Sequence, residues 1–368
     1  MTGPNANKER WSFEYDAINQ LTSAKANFDP SGGPWQGKIP GMEFGYSYDQ
    51  IGNRLSTTQG GGSTGFYSSN YTPNKLNQYI SRDVSGKLEV TGNAPNSPIV
   101  RVLDQQRESP ARSPRPSGTC PPTGSSGVRV EFPNTAGPAA GQVAVESIPG
   151  SLSAYDIFLP KTPELFTYDP DGNLTSDGVW NYEWDAENRL SAMQLKTEIG
   201  AVVLNQSGSW LRLEFAYDYM GRRIRKQLLT SNTADQDKET GEYILEWGPS
   251  YDHRYVYDTP TSWNLSAVLA DSDFNGTIDA TIQTFAWGPD LSSTEQGAGG
   301  IGGLAVMLDD ETDLGGGSGA VGPMFPTYDG NGNVMRVYST NFVQTNQTEQ
   351  VAEYRYGPFG EHRGQSGR

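Results

Sequence analysis

The sequence predicts an all-β protein built from stacked antiparallel β-hairpins. An aromatic-x-aromatic-Asp pattern, followed by Gly or Asn and then an aliphatic residue, recurs along the 368-residue chain. Gly (44 residues) and Tyr (19 residues) are frequent, whereas charged residues make up only 19%. This composition favours turns joined by aromatic strands and disfavours a helical bundle.

Each copy of the pattern predicts a strand, a turn and a second strand. The two aromatic residues have period two, so their rings lie on one face of a strand. Asp then ends the strand and accepts backbone N–H groups, while Gly or Asn tolerates positive φ. A single hairpin is marginal in water, so we expect the copies to stack. The segments are FEYDAINQL (13–21), YSYDQIGNRL (46–55), FTYDPDGNL (166–174), YEWDAENRL (182–190), FAYDYMGRRI (215–224), PTYDGNGNV (326–334) and YRYGPFGEH (354–362), with a looser YVYD (255–258).

These segments resemble the YD-repeat, or Rhs-repeat, family over roughly residues 11–79 and 166–363. The resemblance implies a long β-sheet that spirals into a hollow shell, typically extracellular or on the cell surface, which can enclose a C-terminal toxin. Sugar binding is ascribed to some members. Self-cleaving members continue past a Pro-Phe-Gly stretch, like residues 357–360, to a DPxGL motif. No such motif follows here, so neither autoproteolysis nor toxicity transfers to any residue, and we expect an inner piece of a shell wall.

The organisation predicted from the sequence has three parts. Residues 1–83 and 161–368 carry the hairpins, and residues 84–160 form a β-rich insertion whose first strands resemble Ig-like modules. Within the insertion, residues 101–125 are rich in Pro, Ser and Arg, which leaves three interpretations: a flexible linker, a frame-shifted stretch or a basic binding segment. A Gly-rich interruption lies near 291–325. It lacks the GK[ST] signature of phosphate loops, so we expect a loop between hairpins.

One segment suggests a metal site. Residues 271–282, DSDFNGTIDATI, place Asp271, Asp273, Asn275 and Asp279 at positions 1, 3, 5 and 9 of a calcium loop. Position 12 is Ile282, where a bidentate Glu is expected, and the flanking segments read as strands. A hairpin tip is also rich in Asp, Asn and Gly, so a calcium loop and a hairpin tip both remain possible interpretations of this segment.

Other reactive residues have simpler explanations. The carboxylates Asp169 and Asp171 and the acidic run 309–313 read as turn residues, not as a glycosidase pair. His253 and His362 lack a metal-like spacing and read as surface or turn residues, and Cys120 has no activating partner.

Side chains that follow the turns, or that end the strands before them, also have structural explanations. We expect Arg189, Arg222 and Arg223 to pair with turn aspartates. The rings expected in the core, with sugar stacking as the alternative, are Tyr168, Tyr182, Trp184, Tyr217 and Trp287. We therefore predict no catalytic, cofactor-binding or metal-binding residue and no cofactor.

The formal net charge of −16 disfavours nucleic acid as a partner. No stretch approaches 18 apolar residues, and the N-terminus has no signal-peptide core. We predict a non-catalytic scaffold, extracellular or on the cell surface as part of a longer protein. Its partners would be the remainder of the polypeptide or an enclosed effector. A glycan-binding surface module is the first alternative, and a carbohydrate-active or self-cleaving enzyme the second.

Overall fold

The structure is a computed structural model, and it describes residues 8–29, 37–61, 65–93, 100–104, 116–120, 125–147, 151–204, 209–232, 235–237, 239–240, 243–260, 262–309, 323–341, 347–360 and 362–367. In these residues the fold is all-β, as predicted, with one short helix. The strands up to residue 159 are β1 (Lys8–Tyr15), β2 (Leu21–Asp29), β3 (Gly37–Tyr48), β4 (Arg54–Gly60), β5 (Phe66–Pro73), β6 (Tyr79–Arg82), β7 (Lys87–Asn93), β8 (Val100–Asp104), β9 (Pro116–Cys120), β10 (Ser125–Glu131), β11 (Ala139–Ser147) and β12 (Ser151–Leu159).

The later elements complete the repeat. They are β13 (Glu164–Leu165), β14 (Thr167–Tyr168), β15 (Leu174–Ser176), β16 (Trp180–Trp184), β17 (Leu190–Leu195), α1 (Thr197–Leu204), β18 (Trp210–Tyr217), β19 (Arg223–Ser231), β20 (Asp235–Gln236), β21 (Tyr243–Ile244), β22 (Gly248–Tyr257), β23 (Leu265–Ala270), β24 (Ala280–Trp287), β25 (Leu304–Asp309), β26 (Met324–Tyr328), β27 (Val334–Asn341), β28 (Gln347–Tyr356) and β29 (His362–Gly367). The chain divides into a unit of Met1–Asn181 with Leu195–Ser209 and a unit of Tyr182–Gln194 with Trp210–Arg368.

The first unit holds a seven-stranded antiparallel sheet in the order β1-β2-β3-β4-β5-β6-β13. Its core forms where small residues of β2 face aromatic residues of β3. Ala24 and Ala26 are fully buried, and Phe44 and Tyr46 pack beside them. Trp11 of β1 packs against this cluster. Of the period-two rings, Tyr46 is buried and Tyr48 is partly buried, whereas Phe13 and Tyr15 of β1 are exposed.

The insertion in the first unit is β-rich, as predicted. It consists of the pair β10-β7 and the sheet β12-β11-β8-β9. Val130 and Phe132, which the sequence places on one face, are both buried with Ala139. The Ig-like character and the alternatives for residues 101–125 stay predictions, and residues 105–115 and 121–124 lie outside the described part of the chain.

The second unit is dominated by an antiparallel sheet in which neighbours run β17-β18-β19-β22-β23-β24-β25-β26-β27-β28-β29. Hairpin follows hairpin with little exchange of order, which keeps sequence neighbours adjacent in space. Val268, Ala270, Ala280 and Ile282 form its buried cluster.

A helix was not predicted from the sequence. α1 occupies the connection that follows β17, has Glu198 in its first turn and buries Ile199 within the first unit. An acidic residue in the first turn favours a helix through the backbone dipole. No helix in the described ranges is long and apolar enough to cross a membrane.

Candidate functional site

The recurring turn is the chemically richest feature of the described residues. We call the segment from the aromatic residue before Asp to the residue that resumes the second strand an aromatic–Asp turn. In the turn at Asp49, one carboxylate oxygen accepts the backbone N–H groups of Ile51 (3.0 Å) and Asn53 (2.8 Å). The other oxygen accepts the Asn53 side-chain amide at 2.8 Å. These bonds to the charged form lower the pKa of Asp49.

The fourth residue, counted from Asp or its substitute, has positive φ in the short turns that the structure describes. This confirms the role assigned to Gly and Asn from the sequence, because left-handed backbone is accessible to these residue types. The residues are Asn19, Gly52, Asn77, Gly172, Asn188, Gly221, Gly332 and Gly360.

The aromatic residue before Asp lies at a bulge. In the turn at Asp218, the pairing of β18 with β19 shifts between Ala216 and Tyr217, so that Tyr217 pairs with Arg223. A bulge of this kind redirects a side chain and increases local twist. The same shift precedes Tyr15, Tyr48, Tyr168, Tyr257 and Tyr328, and it also precedes Trp287 and Tyr356, which are followed by Gly instead of Asp.

The redirected ring makes a hydrogen bond to the preceding hairpin. Its hydroxyl or indole N–H donates to the backbone carbonyl of the residue that follows the turn in that hairpin, and we call this the inter-hairpin bond. In the described residues, seven inter-hairpin bonds are present. The donor ring and the residue whose carbonyl accepts are Tyr48 and Leu21 (2.9 Å), Tyr168 and Tyr79 (2.9 Å), Tyr217 and Leu190 (2.9 Å), Tyr257 and Arg223 (3.0 Å), Trp287 and Leu265 (2.7 Å), Tyr328 and Leu304 (2.7 Å), and Tyr356 and Val334 (2.8 Å).

The inter-hairpin bonds bear on the sugar-stacking alternative. Of the rings proposed from the sequence, Tyr168, Tyr217 and Trp287 each use their polar atom on backbone. Tyr182 and Trp184 lie partly buried in β16. The geometry of these rings therefore matches the structural interpretation.

One copy of the turn escaped sequence analysis. Asn74 stands where Asp is expected, and its side-chain oxygen accepts the N–H groups of Leu76 (2.8 Å) and Gln78 (3.0 Å). Pro73 replaces the aromatic residue, and its register partner Tyr79 supplies the ring, whose hydroxyl accepts the Arg54 N–H at 2.8 Å. The signal that could have revealed this copy is the spacing of its polar residues. Asn74, Asn77 and Gln78 are spaced like the Asp, Gly and Asn of the other turns.

Two turns replace the amide with a guanidinium. Arg189 and Arg222 donate Nε to Asp185 and Asp218 at 2.7 Å each, which confirms the predicted pairing. Arg222 also donates to the carbonyls of Thr259 (3.0 Å) and Ser262 (2.6 Å) in the next loop. Burial raises the pKa of Asp218, but the bonds from Arg222 outweigh it and leave that pKa lowered.

Arg223 behaves differently from the two turn arginines. It is the register partner of Tyr217, and its guanidinium lies 4.5 Å from the centre of the Phe215 ring. A cation over a ring face is attracted by the ring quadrupole. Its contact is therefore with a strand residue of its own hairpin, not with the carboxylate of the turn.

The Gly-rich stretch is an enlarged turn. Trp287 pairs with Leu304, so residues 288–303 occupy the place of the short turn. Asp290 is buried, and its carboxylate accepts Ser292 Oγ and the N–H groups of Ser292, Ala298 and Gly300. These bonds lower the pKa of Asp290 to about 2, with the Ser292 hydroxyl the largest cause. A loop is thus observed, as predicted, and residues 310–322 lie outside the described residues.

The calcium-like segment forms a hairpin tip between β23 and β24. The buried Asp271 carboxylate accepts the N–H groups of Asn275 (3.0 Å) and Gly276 (2.8 Å). Asp279 accepts the Ser272 N–H and hydroxyl. These oxygens therefore stabilise their own turn, and in the described ranges no group of three or more His, Cys, Asp or Glu is arranged to hold a metal.

The remaining sequence candidates lie on different strands. His253 lies within β22, where it stacks on Tyr251 at 4.5 Å, and burial lowers its pKa. His362 begins β29 and Cys120 ends β9, and their side chains are outside what the structure describes. Asp309 ends β25, and residues 310–313 of the acidic run are likewise not described.

A charged network in the second unit was not found from the sequence. Arg212 donates to both oxygens of Glu183 (2.7 and 3.2 Å) and to Glu214 (2.9 Å). The Asp252 carboxylate, buried in β22, receives Arg225 and Arg254. Burial raises the pKa of Asp252, and the two guanidiniums more than offset this and leave it lowered. The register pairs Arg225 with Arg254 and Gln227 with Asp252, so Asp252 meets its two arginines at diagonal and same-strand positions. Opposite charges on neighbouring strands, within reach of one another, stabilise the pairing.

No protein-family model matches the chain. Among curated proteins, the tRNA(Glu)-specific nuclease WapA of Bacillus subtilis subsp. natto is 29% identical over 143 residues, which is 34% of this chain and 6% of that protein. The tRNA nuclease WapA of Bacillus subtilis strain 168 is 28% identical, and the tRNA3(Ser)-specific nuclease WapA of Bacillus spizizenii 29% identical, over the same shares.

The match is distant and partial in both directions. The chain spans about 6% of the length of the curated relatives that it matches. Sequence comparison therefore links part of this chain to a small part of much longer proteins.

Proposed function

We propose that this chain is a non-catalytic structural scaffold, a stretch of the β-sheet wall of a larger exported or surface protein of the YD-repeat kind. The wall would enclose or present an effector carried by the same polypeptide. The observation that carries this proposal is the recurrence of the inter-hairpin bond. Because each bond joins one hairpin to the backbone of the one before, it fixes the register of many strands with a single repeated contact.

The similarity to WapA proteins supports this proposal in a limited way. Those relatives are named as tRNA nucleases, and the matched part is about 6% of their length. A long protein with a catalytic region needs other regions to carry it, and a stacked-hairpin stretch suits that role. The net charge of −16 opposes binding of an RNA backbone by this stretch itself.

The chemistry of the turns also supports a structural role. The carboxylates of Asp49, Asp169, Asp218 and Asp290 are each engaged by two or more N–H donors of their own turn. A general acid or base must exchange its proton near the working pH. The pKa of each of these four groups is lowered, so each carboxylate stays ionised and bonded at neutral pH.

Activity assays with the purified chain test the proposal directly. We expect no cleavage of a full tRNA pool, no hydrolysis of a broad glycoside panel and no self-cleavage during prolonged incubation. Cleavage of any of these that is lost on Asp290→Asn or His253→Ala, with the fold retained by circular dichroism, would contradict a non-catalytic role.

Limited proteolysis tests the scaffold itself. We expect thermolysin to spare the core strands of the wild type and to cut faster when Tyr217 and Tyr257 are both changed to Phe. The variant Tyr219→Phe is the matched control, since Tyr219 lies exposed at a turn tip. Equal cutting of the double variant and the control would show that the inter-hairpin bonds do not hold the wall together.

Glycan binding is the second candidate, and exposed rings at the turns favour it. Tyr219 and Trp263 present much of their ring surface to solvent, and aromatic faces can stack on sugars. A glycan array probed with the folded chain and with Trp263→Ala tests this function. Binding lost in the variant would support it, and an empty array would exclude it for the glycans on that array.

A further inference from the structure

The pairing of β19 with β22 joins two hairpins of the second unit. β19 ends the hairpin β18–β19 and β22 begins the hairpin β22–β23, so the connection 232–247, instead of a tight turn, links the two strands. At one end of this pairing, the Tyr257 hydroxyl donates to the Arg223 carbonyl at 3.0 Å. We call the pairing of β19 with β22 the hairpin joint. Its stability also depends on the side chains that face each other across it.

One cross-strand pair of the hairpin joint is basic on both sides. Lys226 of β19 is the register partner of His253 of β22. The imidazole stacks on the Tyr251 ring with ring centres 4.5 Å apart, and the Lys226 ammonium lies 5.4 Å from the centre of the same ring. His253 is partly buried, so a positive charge on its ring would be poorly solvated. A protonated His253 would also lie directly opposite a second cation.

The strands beside His253 offer the imidazole no counter-charge in the described residues. Its register partner on β23 is Ala270, and Tyr255 lies two residues along its own strand, on the same face. Lys226 and Asp252 are the charged groups whose fields act on the imidazole. The first of them repels a proton, and the second has other partners.

The Asp252 carboxylate is already bound by two arginines. Asp252 is adjacent to His253 in β22, so it faces the opposite side of the sheet, where Arg225 and Arg254 donate to it. In the part of the chain that the structure describes, the imidazole itself has no hydrogen-bond partner. Burial lowers the pKa of His253 from its ordinary value of 6.5, and the Lys226 ammonium lowers this pKa further, against a smaller opposing effect of Asp252.

We propose that the hairpin joint is acid-sensitive: protonation of His253 opposite Lys226 loosens the pairing of β19 with β22. An imidazolium opposite an ammonium is a like-charge cross-strand pair, which destabilises a sheet. Because the fold lowers the pKa of His253, the stability of the neutral form is fully present above the unfolded pKa of 6.5 and is lost as pH falls through that value toward the folded one. This window, about pH 7 to 5, lies above the one in which the turn carboxylates titrate.

The acid-sensitive joint gives the proposed wall a defined place of opening. In acidified surroundings, a sheet that encloses an effector loosens first between these two hairpins, because protonation of a single histidine biases that pairing. This consequence rests on the proposed function, whereas the loosening of the hairpin joint does not.

Urea unfolding of the full chain at about pH 7.5 and about pH 5 identifies the responsible group. Between these two conditions, the folding equilibrium constant of the wild type should fall about two- to fivefold more than that of His253→Gln. Lys226→Met removes the opposing charge and keeps an unbranched side chain, so it should reduce the wild-type loss. The matched control is His362→Gln, since His253 and His362 are the two histidines of the sequence. It should keep the wild-type loss, and a loss that persists in full in His253→Gln would overturn the proposal.

Hydrogen–deuterium exchange under the same two conditions, corrected for the intrinsic pH dependence of exchange, locates the change. We expect the amides of β19 and β22 to lose protection in acid, those of β27 and β28 to keep it, and all four strands to keep it in His253→Gln. Unchanged protection of β19 and β22, or an equal loss in all four strands, would overturn the proposal. Because the readout is local exchange, a joint that stays closed in acid leaves the scaffold role intact, and catalytic activity of the chain leaves the acid-sensitive joint intact.

Discussion

The turns at Asp169 and Asp218 share one backbone geometry and differ in the residue that completes it. In the first unit, Asp169 accepts the Asn173 backbone N–H at 2.8 Å and the Asn173 amide at 3.0 Å. In the second unit, Asp218 accepts the Arg222 backbone N–H at 2.9 Å and its guanidinium at 2.7 Å. The comparison shows that hydrogen-bond geometry defines the turn and that a charged partner is an addition to it.

The arginine extends the contact of the turn to its neighbour. Besides Asp218, Arg222 reaches two carbonyls of the following loop and lies 4.7 Å from the centre of the Tyr257 ring. Arg222 is only 7% exposed, so its charge depends on these partners. Asn173 completes the turn at Asp169, whereas Arg222 completes the turn at Asp218 and also donates to two carbonyls of the next loop.

Replacing Arg222 and Asn173, the residues that complete the two turns, should give the largest difference in the free energy of unfolding. Arg222→Ala should lower the free energy of unfolding by about 3 kcal/mol, because it removes the guanidinium that donates to Oδ2 of Asp218 and to two carbonyls of the next loop. Asn173→Ala should cost about 1.5 kcal/mol, the lower end of the range for a hydrogen bond to a charged group, because a neutral amide donates to the ionised Asp169. Urea unfolding of both variants measures the difference, and equal costs would contradict the distinction between the two kinds of turn.

Alanine substitutions at two turn glycines distinguish the cost of the left-handed backbone from the cost of a clash with a neighbouring loop. Gly221 has φ +79° and open space where the Cβ of an alanine would lie, whereas at Gly332, with φ +83°, that atom would lie 2.3 Å from Ile301 of the enlarged turn. Gly221→Ala should cost about 1–2 kcal/mol for left-handed backbone alone. Gly332→Ala should cost about 1 kcal/mol more, because Ile301 must move.

Chemical denaturation of the two alanine variants checks this pair. The double variant Gly332→Ala with Ile301→Ala is the control, and it should return the cost of Gly332→Ala toward that of Gly221→Ala. If the double variant recovers nothing, the contact between the turn and the Gly-rich loop is not the cause.

Loss of one inter-hairpin bond is a smaller change. Tyr217→Phe keeps the ring and removes its donation to the Leu190 carbonyl. We expect a decrease of about 0.5–1.5 kcal/mol in the free energy of unfolding. Tyr219→Phe should change it by less than about 0.5 kcal/mol, as for other surface substitutions. A similar loss in both variants would remove the inter-hairpin bond as a source of stability.

Protonation of the turn carboxylates in acid should lower the thermal stability of the fold gradually. The pKa of Asp169 is lowered, chiefly by the Asn173 amide, and the pKa of Asp290 lies at about 2. A carboxyl whose folded pKa is depressed stabilises the fold above its unfolded value, and this contribution is lost as pH falls through the folded value. We therefore expect Tm to fall between about pH 5 and pH 2.

The variant Asp169→Asn sharpens the pH experiment. It should lower Tm slightly at pH 7 and make the decrease toward acid shallower, since one titrating group is gone. Differential scanning fluorimetry in matched buffers measures both slopes. A Tm that rises on acidification would contradict the assignment of these carboxylates as ionised acceptors.

Much of the fold follows from the letters of the repeat. The period-two rings, the Asp and the Gly or Asn predict strand, turn and strand, since each requirement is local to fewer than ten residues. The turn at Asn74 was missed because Asn can replace Asp as an acceptor and Tyr79 can replace the ring from the opposite strand. A fixed residue pattern does not match a turn in which other residue types make the same hydrogen bonds.

The contacts between hairpins could not be predicted in the same way. The inter-hairpin bond ends on a carbonyl, which every residue has, so the acceptor leaves no trace in the sequence. The reach of Arg222 to Thr259 and Ser262 depends on the length of a loop in the next hairpin. The segment 271–279 shows a related limit of the sequence: Asp271 and Asp279 accept donors of their own turn, and the same carboxylates would suit a calcium loop.

The backbone acceptor has a consequence for how such a chain can evolve. Leu21, Tyr79, Arg223 and Val334 all accept the bond although their side chains differ widely. A hairpin can therefore be duplicated, deleted or exchanged without a compensating mutation in its neighbour. Selection then acts on each hairpin separately. A gene of this kind can change length by recombination while the inter-hairpin bonds still form.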